Sequence, residues 1–483
     1  MFDRDIEHAL LQGSLKSIGQ CLRAKRLSVQ EMTGWYLARI AAFNHQGPAL
    51  NAVRVVSDHA LEDARRADAE LATGRDRGPL HGIPVLIKDN ILIADEYTTT
   101  AGAAALASFV PKQTATIVQR LRSAGAIVLG KTNLTEFADY VADVMPAEFS
   151  SAGGVVKNPH GIRYGRGQGS SVGSAAAVAA SFAPIAIGGE TQNSIQTPAS
   201  YSSVVGFKPS VGRVSRVGIM PLVPSQDAPG VLARSVADAQ TVYDIIGGAD
   251  AHDPVSMMMP RDDRRGLRIE RLAQVSIGVP RRAMADRADF APVAPLLERV
   301  LQALSRAGAI IVDPCDMPSA EQILDIRSCV FRTEFKASLN AFLEAHGAPC
   351  GIGSLEELIR WNEAHPEMIP YGQSLLLAAQ ETRGINDPVY RADRARDIAL
   401  SRTAGIDATL QAGNVDVLIA PMGAAAKCTG KAGAPTLAIP AGLDASGTPF
   451  GVTLYTSFGS DAVLVAVARL VEQAIGDRRQ PAL

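Results

Sequence analysis

The chain has 483 residues, of which 47% are hydrophobic, and its 47 Lys and Arg against 49 Asp and Glu leave a formal net charge of −2. That balance gives no long-range field to draw in nucleic acid or an anionic membrane, and the apolar content suits a large buried core rather than a disordered chain. The five cysteines, from Cys21 to Cys428, include no CxxC and no Cys/His cluster, so neither a zinc site nor a redox pair is expected.

The opening MFDRDIEHALLQGS carries acid early and lacks the apolar core of a secretory signal, so the expected location is cytoplasmic. Ser28-Val-Gln-Glu31 reads as a capping box, and Met32, Trp35, Tyr36, Leu37, Ile40 and Phe43 follow at helical spacing, which predicts a helix to about Phe43. A second helix is expected from about Asp58 to Ala72. In GPLHGIPVLIKDN the apolar run IPVLI reads as a buried strand that emerges into a loop at Lys88-Asp89-Asn90. TATIVQRLRSAG then reads as a helix and AIVLGKTN as a strand. This rhythm predicts an α/β protein with one large mixed sheet covered by helices on both faces.

Gly165 to Asp250 is rich in Gly, Ser and Ala. Ser174–Ala180 is small and apolar on nearly every side and predicts a buried, closely packed helix, with Ser170 or Ser171 near its start. The run ending at Gly188 is broken by Pro184 and is too short to span a bilayer. From about 253 to 415 the texture changes. PRDDRRGLRIERL reads as a solvated loop or helix face. VSIGVP reads as a strand, and helices are expected at Val293–Ala307, Ala320–Ala345 and Asp387–Leu410. VDVLIAP, PTLAIPAG and FGVTLYT read as strands, and Ala462–Ile475 as the last helix. No repeat or long polar linker appears, so residues 1–483 are expected to form one domain, with a helical segment to about residue 75.

Two features raise chemistry. The Gly/Ser run GRGQGSSVGSAAAVAA satisfies neither GxxxxGK[ST] nor GxGxxG, so on composition alone it is a tight turn with a helix cap. Ser194, in GGETQNSIQTPA, would need a base to act as a nucleophile, and no histidine lies between His160 and His252. Lys88 offers one. At the end of a core strand it either snorkels to water or sits dry with a depressed pKa, and only in the second case can its neutral amine accept a proton. The residues alone leave both readings open.

With GPLHGIPVLIKDNI, AGAIVLGKTNLTEF (Ala124–Phe137), GQGSSVGSAAAVAA (Gly167–Ala180), GGETQNSIQTPA (Gly188–Ala199), the stretch Val204–Ala239 and GAPTLAIPAGL in order, the chain resembles the amidase signature family, the Ser–Ser–Lys amidases. The resemblance implies that Ser194 attacks an amide carbonyl, that Ser170 bridges it to Lys88 through a loop whose entering peptide bond is cis, and that Lys88 is the base. It implies an oxyanion hole of backbone N–H groups from Thr191, Gln192 and Asn193 to Ser194. It implies a small-molecule amide substrate, no cofactor and no metal, with no nucleic-acid or membrane partner, and it leaves a homodimer open.

Two positions depart from the family pattern. Gln192-Asn193 stands where a glycine pair is usual, and Gln196 where many members carry arginine, so a recognition role or ion pair that relied on that arginine is in doubt. The pattern is nearest the peptide-amidase and general amide hydrolase branch. Three readings follow: an amide hydrolase; an acyl-transferring, ester-cleaving or carbamate-cleaving enzyme on the same scaffold; or a partner subunit, either of the glutamyl-tRNA amidotransferase A type or a catalytically weak one. Specificity is expected to lie in the variable region at about 253–415. Tyr140, Phe331, Trp361 and Tyr371 are candidates for pocket wall or core alike.

Overall fold

The computed structural model describes residues 3–260, 267–284 and 290–483. Eleven strands form one mixed sheet: β1 (Val53–Val56), β2 (Pro84–Lys88), β3 (Ile127–Thr132), β6 (Ile185–Glu190), β7 (Val205–Lys208), β8 (Ala228–Ala233), β9 (Ser276–Gly278), β10 (Ile310–Val312), β11 (Val417–Pro421), β12 (Thr436–Leu443) and β13 (Pro449–Tyr455). The remaining two, β4 (Phe149–Ser150) and β5 (Gly154–Val155), make a separate small hairpin. The order in the large sheet is β1-β3-β2-β6-β8-β7-β12-β13-β11-β9-β10. β2 lies between β3 and β6 and runs parallel to both, while β6, β8, β7, β12 and β13 pair antiparallel in turn. Every residue of β2, β3, β8 and β11 is buried, which is why the apolar stretches that begin β2 and β3 and fill β11 do not alternate.

Helices pack about this sheet. The Ser28 box is present, with Ser28 Oγ accepting from Glu31 N and Glu31 Oε2 accepting from Ser28 N at 2.9 Å, and the helix it starts runs Val29–Phe43. The helix Val172–Ala179 is buried at all eight residues. A Cβ on its Gly173 would stand 2.3 Å from the Asn133 carbonyl oxygen and 2.6 Å from that of Ala52, so only glycine lets the helix come this close to the sheet. A second apolar cluster sits beside the main core, built around Leu92–Phe109, Phe137–Met145, Met220–Val223 and the helices between Val330 and Gln380.

Several expectations need correction. The helix expected over Ala320–Ala345 is two, Ala320–Asp325 and Val330–Ala345. The break is held from outside: Ser328 Oγ donates to Asp397 at 2.9 Å and Cys329 N–H to Asp393 at 2.8 Å, and both carboxylates stand on the helix Pro388–Ile398. The helix expected over Asp387–Leu410 begins after Asp387, which caps it through Val389 N–H at 2.8 Å, and passes through a π-helical stretch, Ala399–Asp407, before ending at Gly413. In the charged run beginning at Pro260, residues 261–266 lie outside the described residues, and residues 267–271 form neither helix nor strand and are partly to fully exposed.

Candidate active site

β2 delivers Lys88 as its last residue, into a position only 1% exposed. Its ammonium donates to Ser170 Oγ at 2.8 Å, to Ser171 Oγ at 3.0 Å and to the Gly189 carbonyl at 3.2 Å. Burial pushes its pKa down to about 7; the negative charges of Asp227, Glu190 and Asp139 oppose that shift without abolishing it. No carboxylate comes within ion-pair distance of it among the described residues. Of the two readings left by the sequence, the dry lysine holds and the snorkelling one does not.

Ser170 and Ser171 stand at the start of the helix Val172–Ala179, and the peptide bond Gly169–Ser170 is cis. Ser194 lies on the turn that joins β6 to the short helix Gln196–Tyr201. The two serine segments are stitched together, with Ser171 N–H donating to the Ser194 carbonyl at 3.1 Å. The side chains are less complete: Ser194 Oγ takes part in no hydrogen bond among the described residues, so the link from Ser170 to Ser194 is open while the link from Lys88 to Ser170 is made.

Glu190 explains the shape of the turn. One of its oxygens accepts from Ile195 N–H at 2.7 Å and Gln196 N–H at 2.8 Å, which caps the short helix. The backbone N–H groups just before these, of Thr191, Gln192, Asn193 and Ser194, have no acceptor among the described residues. Thr191 and Ser194 are buried and Gln192 and Asn193 half-buried, and N–H groups without a partner here are free to meet an incoming acceptor. Thr191 is held by its side chain, which donates to Asp227 at 2.6 Å; Asp227 in turn accepts from Leu222 and Val223 N–H at 2.9 Å each.

The unusual pair has a plain backbone. Neither Gln192 nor Asn193 has a positive φ, so glycine is not required at either position. Gln192 packs on Gly430, where a Cβ would stand 2.7 Å from its Cγ. Asn193 Nδ2 donates to the Gly167 carbonyl, on the loop that leads into Ser170. Gln196 makes no ion pair; its amide donates instead to Glu190 at 2.9 Å and to the Gln192 carbonyl at 2.8 Å, so the turn is braced without arginine.

A cavity of about 320 Å³ meets this site at Lys88 and Thr191, with Ala138, Ile219, Met220 and Leu222 among its other walls; Ser170 and Ser194 stand behind its lining. None of the four aromatic candidates lines it. Tyr140 stacks within the second cluster, 5.3 Å from the Phe331 ring and 4.9 Å from Phe335, Trp361 stacks on His365 at 4.0 Å, and Tyr371 packs on Phe149 at 5.1 Å. Sequence reasoning missed Ser171 and the Gly189 carbonyl as partners of Lys88, Glu190 as turn brace, and Asp227. Asp227 falls within the stretch Val204–Ala239, but nothing in the sequence tells which backbone it would hold. Among the described residues no group of His, Cys, Asp and Glu is arranged to hold a metal ion, and no helix is long and apolar enough to cross a membrane.

With this geometry in hand, comparison with known proteins is direct. Residues 31–465 match the family described as Amidase. An Arabidopsis thaliana protein named as a probable amidase is 32% identical over 98% of this chain and 92% of its own length. A glutamyl-tRNA(Gln) amidotransferase subunit from Ralstonia pickettii is 31% identical over 97% of this chain and 99% of its own length. Among solved structures, native peptide amidase from Stenotrophomonas maltophilia superposes with a TM-score of 0.89 at 38% identity, covering 97% of this chain and 98% of that one.

Proposed function

The chain belongs to the amidase signature family and is an amide-hydrolysing enzyme, and from that premise we propose that it works through an acyl-enzyme on Ser194, with Ser170 as proton relay and Lys88 as base. The substrate is a small-molecule carboxylic amide. Ser194 Oγ attacks the carbonyl carbon as its proton passes to Ser170, and the Ser170 proton passes to the neutral Lys88 amine. The oxyanion is received by the free N–H groups of Thr191, Gln192, Asn193 and Ser194. Donors of this kind, aimed where charge develops, lower the barrier by about 3–4 kcal/mol each. Lys88 returns the proton through Ser170 to the leaving nitrogen, the C–N bond breaks, and ammonia or an amine departs. Water then attacks the ester by the same relay and releases the acid.

The observation that carries this reading is the Lys88–Ser170 hydrogen bond of 2.8 Å in a site that holds the lysine near neutrality. It favours an active enzyme over a silent partner protein, because this buried lysine faces hydroxyls and has no carboxylate to make it a structural cation. The open Ser170–Ser194 link is one that tightens when a substrate seats against the turn, as catalytic hydrogen bonds commonly do.

The test is intact-mass measurement after treatment with an alkyl fluorophosphonate, followed by ammonia release from a panel of primary amides. Wild type should gain one adduct, while Ser194→Ala and Lys88→Ala gain none. A folded wild-type protein that stays unlabelled would return the weight to the partner-protein reading. Product ratios with added hydroxylamine separate hydrolysis from acyl transfer: a hydrolase keeps the free acid as its main product.

A further inference from the structure

The region from about 253 to 415, expected to carry specificity, also reaches the supports of the turn at residues 191–194. It does so through one helix. Pro388–Ile398 places Tyr390, Arg394 and Asp397 on one face, four and three residues apart. Arg394 opens its guanidinium between two segments: Nη1 donates to the Lys431 carbonyl at 3.0 Å and Nη2 to the Ser225 carbonyl at 3.2 Å. The side chain is half-buried and makes no ion pair among the described residues, so these two carbonyls are what hold it.

Each carbonyl belongs to a support of that turn. Ser225 lies in a tight loop, residues 222–227, where Gln226 and Asp227 N–H both donate to the Val223 carbonyl, at 2.8 and 2.9 Å. Asp227 closes the loop and accepts from the Thr191 hydroxyl at 2.6 Å. Lys431 follows Gly430 in the helix Ala426–Ala432. A Cβ on Gly430 would stand 2.7 Å from the Thr191 carbonyl oxygen as well as from Gln192 Cγ, so glycine lets this helix lie directly on the peptide between Thr191 and Gln192. The Tyr390 and Asp397 side chains grip the same two supports again. Tyr390 OH donates to Glu334 at 2.9 Å and Glu334 accepts from Ser225 N–H at 2.9 Å, while Asp397 accepts from the Lys431 ammonium at 2.7 Å. Capping a helix end asks for less than this. Arg402 is the plain case, since both its bonds go to the Ala432 carbonyl, at 3.1 and 2.6 Å. Arg394 differs in tying one support to the other.

We propose that Arg394 is a positioning residue: its fork fixes the Ser225 loop against the helix Ala426–Ala432, and so holds the N–H groups of Thr191 and Gln192 where the oxygen of an amide carbonyl is received. It touches no substrate itself. The proposal rests on residues 191–194 forming the oxyanion site and on Ser194 being the nucleophile. A planar guanidinium suits the task, because two parallel donors at fixed separation hold two carbonyls in register, and the single ammonium of a lysine does not.

The test measures kcat and KM with the primary amide that wild type turns over fastest, alongside the rate at which an alkyl fluorophosphonate labels Ser194. The variants are Arg394→Ala, Arg394→Lys and, as a control, Arg396→Ala. The control removes an arginine of the same helix that donates to the Arg327 carbonyl at 2.5 Å, which belongs to neither support. A displacement of about 1 Å in groups that position a reaction costs about 10²-fold, so Arg394→Ala should lower kcat by about 10- to 100-fold and slow labelling by a similar factor. Its KM should stay within about threefold of wild type, because the loss falls on the transition state alone. Arg394→Lys should lie between the two, and Arg396→Ala should keep kcat within about threefold of wild type. Wild-type kcat in Arg394→Ala, a loss confined to KM, or an equal fall in Arg396→Ala overturns the role of Arg394 while leaving Ser194 in place. If Arg394→Ala does not fold, the lysine variant decides alone: a lowered kcat at unchanged KM upholds the proposal, and wild-type kcat overturns it. If wild type takes no label, the Ser194 reading fails and this proposal falls with it.

Discussion

Two lysines end up side by side at the tips of β2 and β3. Lys88 and Lys131 lie on neighbouring parallel strands, in register one residue apart, and both are buried, at 1% and 0% exposed. Burial lowers both pKa values, to about 7 for Lys88 and about 8 for Lys131. What separates them is company. Lys131 meets the Asp89 carboxylate at 3.2 Å and donates to the Ile91 carbonyl and Thr99 Oγ1 at 2.7 and 2.9 Å. Lys88 meets two serine hydroxyls and a carbonyl, and no carboxylate. A buried lysine with a carboxylate is a structural cation; one facing hydroxyls can lose its proton and find another to take up.

Exchanging each lysine for methionine puts the contrast at risk most directly. Lys88→Met should lower kcat/KM by about 10⁴-fold or more, as loss of a catalytic-triad member does, with stability unchanged or raised because a desolvated amine is gone. If that variant instead fails to fold, Lys88 is as structural as Lys131. Lys131→Met should show the reverse pattern, costing about 3 kcal/mol in chemical denaturation because half of a buried pair is removed. Arg54 still reaches Asp89 at 3.0 Å and keeps the loss at the low end of that class. An unchanged denaturation midpoint would mean that Asp89 was already satisfied without Lys131.

The pH profile sharpens the same point. Only neutral Lys88 accepts a proton, so lowering the pH through about 7 should remove activity, about tenfold for each unit below that. An acid limb centred near 10 would place Lys88 in the charged class. The smallest effect belongs to the Asn193 tether. Asn193→Gly restores the family residue and removes one hydrogen bond to Gly167; a net contribution of about 0.5–1.5 kcal/mol predicts a roughly 2- to 10-fold fall in kcat/KM. A rise would show that the tether holds the serine loop away from its working position.

Much of the site-bearing half was legible because local signals and tertiary demand agreed there. IPVLI is apolar because β2 is covered on both faces, and Lys88 is conspicuous for the same reason. Ser28 and Glu31 meet within one turn, so their box needs nothing from afar. The break at residues 326–329 was not legible, because the two carboxylates that hold it come from more than sixty positions away. The Lys88–Ser170 contact and the cis bond came from family resemblance; spacing alone left the lysine ambiguous. Glu190 was missed for a related reason. Its significance lies in which N–H groups it caps, and a one-dimensional pattern does not record that.

The pairing of β2 with β6 also bears on how the chain comes to life. Lys88 is 82 residues from Ser170 and 101 from the Gly189 carbonyl it touches. Contacts of that span form late, after the entropy of closing a long loop has been met. On the proposed mechanism a chain still leaving the ribosome therefore carries an inert serine, and its neighbours in a crowded cell are spared a promiscuous nucleophile. Reactivity is switched on by the docking of one strand beside another, so the return of fluorophosphonate labelling during refolding is a clock for that event.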